Sequence, residues 1–478
     1  MTTTFAASSD VQRIRQSIDH PIIDADGHLI EYLPDLRDRI REFGGSEVVK
    51  RFDRHFWTMD RANRLPSAVL RRYGIPCPAW WTYQTENSLD RASATLPRLM
   101  YDRLPELGID YSIAYPSYFI QFPVADDEDF RRAGCRAVNS YLADTYADLY
   151  DRMRPAAVIP MHTPEEGLDE LRFAHEQLGH TVVVMQGVVL RKLPGSDRRW
   201  VDGLGHESQH NYDLVWRYCE ENGISPTFHS VGMGWGSRGS VSNFMHNHIG
   251  HFAAAGEATA RSLLFAGVPV RFPQLRFAFL EGGVAWGAAL YSQFVGNFEK
   301  RNGRAVDHYD PRHLNVDLIQ SLMQEYGTNP MLAHLDELEH GLAPLNPRLD
   351  PAPDEFAESG FTSAEHIAEV FASSMFFGCE GDDPMNAVAT ERFCKPLGTR
   401  INALYGSDAG HWDVPDIREV LPEVYELVDH GIVEPADFRR MVFDSPVRLW
   451  TDNNPGFFDG TVVEDAVRQF RGAAEGTA

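Results

Sequence analysis

Carboxylate and imidazole side chains recur at the ends of short apolar runs, and this pattern limits the fold more than any other feature of the sequence. Seven such runs are read: Pro21–His28, Gly108–Ser117, Ala156–Met161, Thr181–Leu190, Ile224–Ser230, Leu275–Gly283 and Asn402–Gly410. Amphipathic stretches separate them, so the runs read as buried strands in βαβ units sharing a parallel sheet. One intervening helix is well marked, with Thr163 as its cap, Pro164 in its first turn, Glu166 completing a capping box and Gly179 as its stop. A barrel and an open doubly wound sheet both fit this alternation. No GxGxxG follows the first run, which weighs against a dinucleotide-binding sheet. A barrel brings all its strand ends to one face. The expected fold is therefore α/β, a (β/α)8 TIM barrel forming a single domain over residues 1–478.

Two segments exceed a minimal barrel. Residues 38–105 are rich in aromatic and basic groups (RHFWTMDR, RRYG, PAWWTYQ), and residues 299–362 are polar, with the Pro-rich stretch LAPLNPRLDPAPDEF. If they follow strands they emerge near the catalytic face, as a lid or substrate wall; decoration or an oligomer contact is the plainer alternative.

With a formal net charge of -25 the surface repels a phosphate backbone, which excludes nucleic acid as an expected partner. Five scattered cysteines, with no CxxC pair, argue against a disulfide framework and fit a reducing cytoplasm. The first twenty residues hold no apolar core of a signal peptide, and TVVVMQGVVL is too short to span a bilayer.

Asp24, Asp26 and His28 alternate along the first run, so in a regular strand all three face one cavity. Two carboxylates and an imidazole buried together are costly without a compensating cation. The plainer reading of Asp24 is a strand-end cap. His229 ends the fifth run before the glycine-rich loop GMGWGSRGS, which lacks a Lys-Ser/Thr ending and reads as a flexible loop at the mouth. His246, His248 and His251 follow at the start of a helix. His246 reads as a surface residue; His248 and His251, three apart, share a face. Glu281 follows an apolar strand and precedes Gly-Gly, where backbone amides are its alternative partners. Asp408 ends the last run, with His411 three residues on as its partner. The expected metal ligands are Asp26, His28, His229, His248, His251, Glu281 and Asp408; the expected acid–base residues are Asp408, His411 and His248.

These motifs resemble the amidohydrolase superfamily in its amidohydrolase-2, decarboxylase-like branch. There the first strand reads D-x-H-x-H, and here it stands as Asp24-Ala-Asp26-Gly-His28; the likeness continues through VRFPQLRFAFLEGGVAW, YGSDAGHWD and MVFDSPVRLWTDNNPGFF. The resemblance implies a TIM barrel with metal ligands at His28, His229 and Asp408. Asp26 replaces the family's first metal-binding His, and Glu281 replaces the His that decarboxylases carry before Gly-Gly. A site this rich in carboxylates suits iron or manganese at least as well as zinc. It resembles the TIM-barrel nonheme diiron monooxygenases of the pathway to the diterpenoids platensimycin and platencin, which implies coenzyme A-linked substrates.

Three functions follow as expectations. The first is a monooxygenase with two iron ions and an electron donor, hydroxylating a large hydrophobic acyl thioester. The second is a hydrolase or non-oxidative decarboxylase with one zinc or manganese ion. The third is a barrel that binds ligands without catalysis, against which the intact ligand set argues. A homodimer is the candidate assembly, and no membrane partner is expected.

Overall fold

The computed structural model describes residues 5–77, 85–196, 198–232, 235–342, 354–391, 393 and 395–475. PAWWTYQ and most of LAPLNPRLDPAPDEF lie outside these residues, and the side chains of residues 56–63 are not described.

Eight strand positions follow one another along the chain: β1 (Ile23–Leu29), β2 (Tyr111–Pro116), β3 (in two pieces, Met153–Pro155 and Ala157–Ile159), β4 (Val183–Met185), β5 (Pro226–Phe228), β6 (Phe277–Phe279), β7 (Met375–Glu380) and β8 (Asn402–Gly406). Each pairs in parallel with the next. The circle closes where β8 returns to β1: the His28 N–H donates to the Ala409 carbonyl at 3.2 Å, and the Asp408 N–H to the Asp26 carbonyl at 3.1 Å. The fold is a (β/α)8 barrel. Its strands read as unbroken apolar runs because helices cover their outer faces and side chains fill the inside; every residue of β1, β2 and β8 is buried.

Asp24 locks the closure. Its carboxylate accepts the Ser407 N–H at 2.9 Å, the Ser407 hydroxyl at 2.7 Å and the Ser112 hydroxyl at 2.8 Å, tying β1 to β2 and to the end of β8. It does not share the cavity of Asp26 and His28 as regular alternation predicts. The β1–β2 register shifts between Asp24 and Gly27, and such an irregularity flips the parity of the side chains beyond it. Gly27 shows the flip directly: a Cβ there would meet the Asp24 Oδ2 at 2.6 Å and the Ser112 hydroxyl at 2.8 Å. Only glycine fits.

Several local expectations change. The run TVVVMQGVVL divides into β4 and the first strand of an antiparallel hairpin, Val189–Lys192 with Arg199–Asp202. β7 is a strand the sequence reading passed over. Thr163 caps its helix, accepting the Glu166 N–H at 3.2 Å. The capping box is not completed, because the Glu166 carboxylate is held by Arg131 at 2.6 and 2.9 Å. The segment 38–105 contributes four helices, Leu33–Asn63, Ser67–Tyr73, Ser88–Thr95 and Pro97–Leu107, between β1 and β2. The segment 299–362 does not leave a strand end. It follows the 17-residue helix Ala285–Arg301, whose rise of about 1.5 Å per residue carries the chain away from the mouth. No helix among the described residues is long and apolar enough to cross a membrane.

Candidate metal centre

The site forms where β1, β5, β6, β7 and β8 end. Asp26 and His28 come from β1, and His229 directly follows β5. Glu281 lies two residues past β6, and Asp408 two past β8. All five are buried, none more than 8% exposed. Glu281 and Asp408 both hold left-handed backbone, at φ 51° and 48°. That conformation costs a non-glycine residue on the order of 1–3 kcal/mol and persists only where the surroundings enforce it. At Asp408 the enforcing contacts are its own N–H on the Asp26 carbonyl and the His411 N–H on its carbonyl at 3.1 Å. Both carboxylates are thereby turned inward.

The donor atoms crowd together. The His28 Nε2 lies 3.1 Å from the Asp408 Oδ1, 3.6 Å from the Asp26 Oδ1 and 3.8 Å from the Glu281 Oε2. The His229 Nε2 is 2.8 Å from the Glu281 Oε2, and the His411 Nδ1 is 2.5 Å from the Asp408 Oδ1. The His28 and His411 rings stack at 3.6 Å. Yet both ring nitrogens of His28 and His229, both side-chain oxygens of Glu281 and Asp408, and the Asp26 Oδ1 lack an aligned hydrogen bond among the described residues. Buried polar atoms are normally satisfied, and carboxylates so close repel. A cation held between them accounts for both observations, so the residues fit a metal ion.

Three sets of donors lie within 4.8 Å of one another: His28, Glu281, Asp408 and His411; Asp26, His28 and His229; and His248, Glu281, Glu380 and Asp413. His28 belongs to the first two and Glu281 to the first and third. Electrostatics agree with the crowding. Burial first, then the charges of Asp408 and Asp26, push the Glu281 carboxyl well above the usual range. Asp26 and Asp408 are raised chiefly by burial. Burial lowers the imidazoles, His229 to about 3 and His411 to about 4, so they stand neutral and ready to ligate.

Glu380 and Asp413 were missed by sequence reasoning. Glu380 ends β7, an apolar strand followed by glycine, the same signal that marks Glu281. Asp413 lies in YGSDAGHWD, five residues past Asp408. Burial and then the Asp408 charge raise its carboxyl to about 8; burial raises Glu380 to about 7.

His248 and His251 do not share one helical face. The helix Phe244–His248 ends before Gly250, whose φ of 70° turns the chain into the next helix, His251–Phe265. Their rings still lie 5.1 Å apart. His248 joins the third donor set, whereas His251 belongs to none of the three and packs on Phe252 at 3.9 Å. His246 is exposed. The loop after His229 is tied down in its described part, with the Gly232 N–H on the His251 carbonyl at 3.0 Å and the Arg238 guanidinium on the Ile249 and Gly250 carbonyls at 3.2 and 2.9 Å.

The amidohydrolase family model matches residues 23–302. Among solved structures, the chain is similar to an amidohydrolase from Mycobacterium avium subsp. paratuberculosis K-10, at 16% identity over 76% of this chain and 75% of that one, with a TM-score of 0.49. It is similar to a dihydroxybenzoic acid decarboxylase from Polaromonas sp. JS666 with bound manganese, at 12% identity over 92% and 100%, TM-score 0.49. It is also similar to a 5-carboxyvanillate decarboxylase from Novosphingobium aromaticivorans DSM 12444 in complex with manganese, at 14% identity over 94% and 99%, TM-score 0.48. No curated protein matches the sequence.

Proposed function

The chain belongs to the amidohydrolase family, and from that premise we propose that it is a metal-dependent hydrolase or non-oxidative decarboxylase using one zinc or manganese ion. The observation that carries this reading is the buried set of carboxylate and imidazole atoms that crowd together, most of them without an aligned hydrogen bond among the described residues. His28, Asp26, His229, Glu281 and Asp408 would hold the ion. Once bound, it would supply Lewis acidity toward a substrate carboxylate or carbonyl oxygen.

The chain's own residues handle the proton. His411 is neutral, with its Nδ1 against Asp408 and its Nε2 3.1 Å from the Ser117 hydroxyl. It can accept a proton at one nitrogen while the other is held. Asp413, pushed up to about 8 by burial and then by the Asp408 charge in the metal-free site, stands beside Asp408 as the candidate acid. The test is anaerobic turnover. Chelated protein reloaded with manganese or zinc is offered a panel of carboxylic acids, esters and amides, and released carbon dioxide or acid is measured. Turnover only with iron, dioxygen and a reductant would overturn the reading.

A second reading is favoured by one observation, the sharing of Glu281 between two donor sets. A carboxylate between two such sets suits a pair of metal ions. Two iron ions would supply oxygen-activating chemistry, for hydroxylation of a large hydrophobic acyl thioester fed by an electron donor. Iron near two equivalents per chain, with a product that gains one atom from labelled dioxygen, would select this reading.

A further inference from the structure

The loop between β5 and the helix Phe244–His248 carries a cation that the metal chemistry does not use. It leaves the site at His229 and returns to it at His248, whose ring shares a donor set with Glu281. Between the two stands Arg238, the one arginine or lysine of residues 230–256. Its Nε donates to the Ile249 carbonyl at 3.2 Å and its Nη2 to the Gly250 carbonyl at 2.9 Å. Both carbonyls lie in the turn that separates His248 from His251, so the guanidinium is fixed beside both histidines. The backbone around it is fixed too. The Arg238 N–H donates to the Trp235 carbonyl at 3.0 Å, and the Ser240 N–H to the buried Asn247 side chain at 2.8 Å.

These bonds occupy one edge of the guanidinium, Nε with one N–H of Nη2. The other edge, Nη1 with the second N–H of Nη2, is a fork that matches the two oxygens of a carboxylate. Arg238 makes no ion pair among the described residues, and residues 230–256 contain no carboxylate although the chain holds 69 acidic residues against 44 basic ones. Apolar groups flank this cation. Ile249 is 71% exposed and Met245 38%, and the Ile249 N–H donates to the Met245 carbonyl at 3.0 Å. Val231, next to Gly232 on the same rim, is 37% exposed. Just inside the turn, His251 is buried and neither ring nitrogen has an aligned hydrogen bond among the described residues. A fixed cation beside apolar groups at the mouth of a metal site suits a ligand with an apolar body and an anionic end.

We propose that Arg238 is a specificity-determining residue, which binds a carboxylate at the far end of the substrate while the reacting end is held at the metal centre. The inference rests on the metal-dependent reading above for the reacting end and adds a substrate class: acids or acyl derivatives with an apolar middle and a second, terminal carboxylate. In a chain of net charge -25 an incoming dianion is repelled, and a fixed cation at the entrance offsets that repulsion where the ligand must pass.

The test uses the zinc-loaded full chain and paired probes that differ only at the far end: hexanoate with adipate, octanoate with suberate, and decanoate with sebacate. Affinities are measured by isothermal titration calorimetry. For at least one chain length the diacid should bind about tenfold tighter than the monoacid. Arg238→Gln should bring that ratio to about one, and Arg238→Glu should turn it in favour of the monoacid. Circular dichroism and zinc content check the fold and the metal site of each variant. Equal affinities in every pair, no binding by any of the six probes, or a diacid preference that survives Arg238→Gln would overturn the proposal. Failure of the hydrolase or decarboxylase reading is seen separately, as a chain without anaerobic turnover that still prefers diacids through Arg238.

Discussion

Replacing Glu281 with glutamine should stabilise the metal-free protein and abolish its response to metal. The Glu281 and Asp408 donor atoms lie within 4.8 Å of each other. Two unit charges at that distance repel by about 3 kcal/mol at an effective dielectric constant of about 20. Burial adds to the cost and raises both carboxyls. Without metal, part of this cost is relieved by proton uptake, so the gain on neutralising Glu281 is about 1–3 kcal/mol. In a chain this long, that shifts the midpoint by roughly 1–2 °C per kcal/mol. Glutamine keeps the shape and the backbone at φ 51°, so strain is unchanged. With metal the sign reverses, because the lost carboxylate no longer offsets the ion's charge. The assay is thermal unfolding of chelated and metal-loaded protein, each as wild type and Glu281→Gln. The expected result is a variant that melts higher than wild type when chelated and gains little from added metal. A variant that melts lower when chelated, yet keeps the full rise on metal addition, would refute the argument that this carboxylate is destabilised by its neighbours and held by an ion.

Chelated protein should lose stability as pH rises from about 7.5 to 8.5. A unit above the pKa of free histidine the histidines of the unfolded chain are mostly neutral, so the raised carboxyls decide the sign; the folded state keeps part of the protons on Glu380 (about 7) and Asp413 (about 8) that the unfolded chain has released, so unfolding is favoured as pH rises. Midpoints measured across that range check this, and a rising midpoint would contradict it. Asp24→Asn should cost about 1–3 kcal/mol, because one carboxylate oxygen that accepts two buried hydroxyls is lost; it should also weaken metal binding although Asp24 is in none of the donor sets, as metal titration can show. Under the two-ion reading His248→Ala should reduce bound metal, measured by elemental analysis, whereas His251→Ala should leave the metal content unchanged under either reading, since only His248 joins a donor set.

The barrel was legible because its strands are short apolar runs ending in polar residues, and the positions of Asp26, His28, His229, Glu281 and Asp408 follow from that punctuation alone. Glu380 was hidden with its strand. MFFGCE follows directly on the helix Ala364–Ser374 with no turn residue to separate them, so periodicity gave no boundary there. The face of Asp24 was not readable either. Alternation places it with Asp26, and only the close approach at Gly27 reveals the shifted register. His248 and His251 meet across a glycine turn, which three-residue spacing on a single helix disguises.

The lock between β1 and β8 has a consequence for biosynthesis. Asp24 and Ser407 are 383 residues apart, which at about 5–20 residues per second means roughly 20–80 s of translation between the two. A nascent chain that has passed β6 presents Asp26, His28, His229 and Glu281 but lacks Asp408 and the edge that closes the circle. It can neither shield those groups nor grip an ion with full valence. The full donor set for an ion is therefore complete only after the last strand has joined the barrel. A chain cut after residue 302, though it would keep the whole region matched by the family, would be a barrel left open.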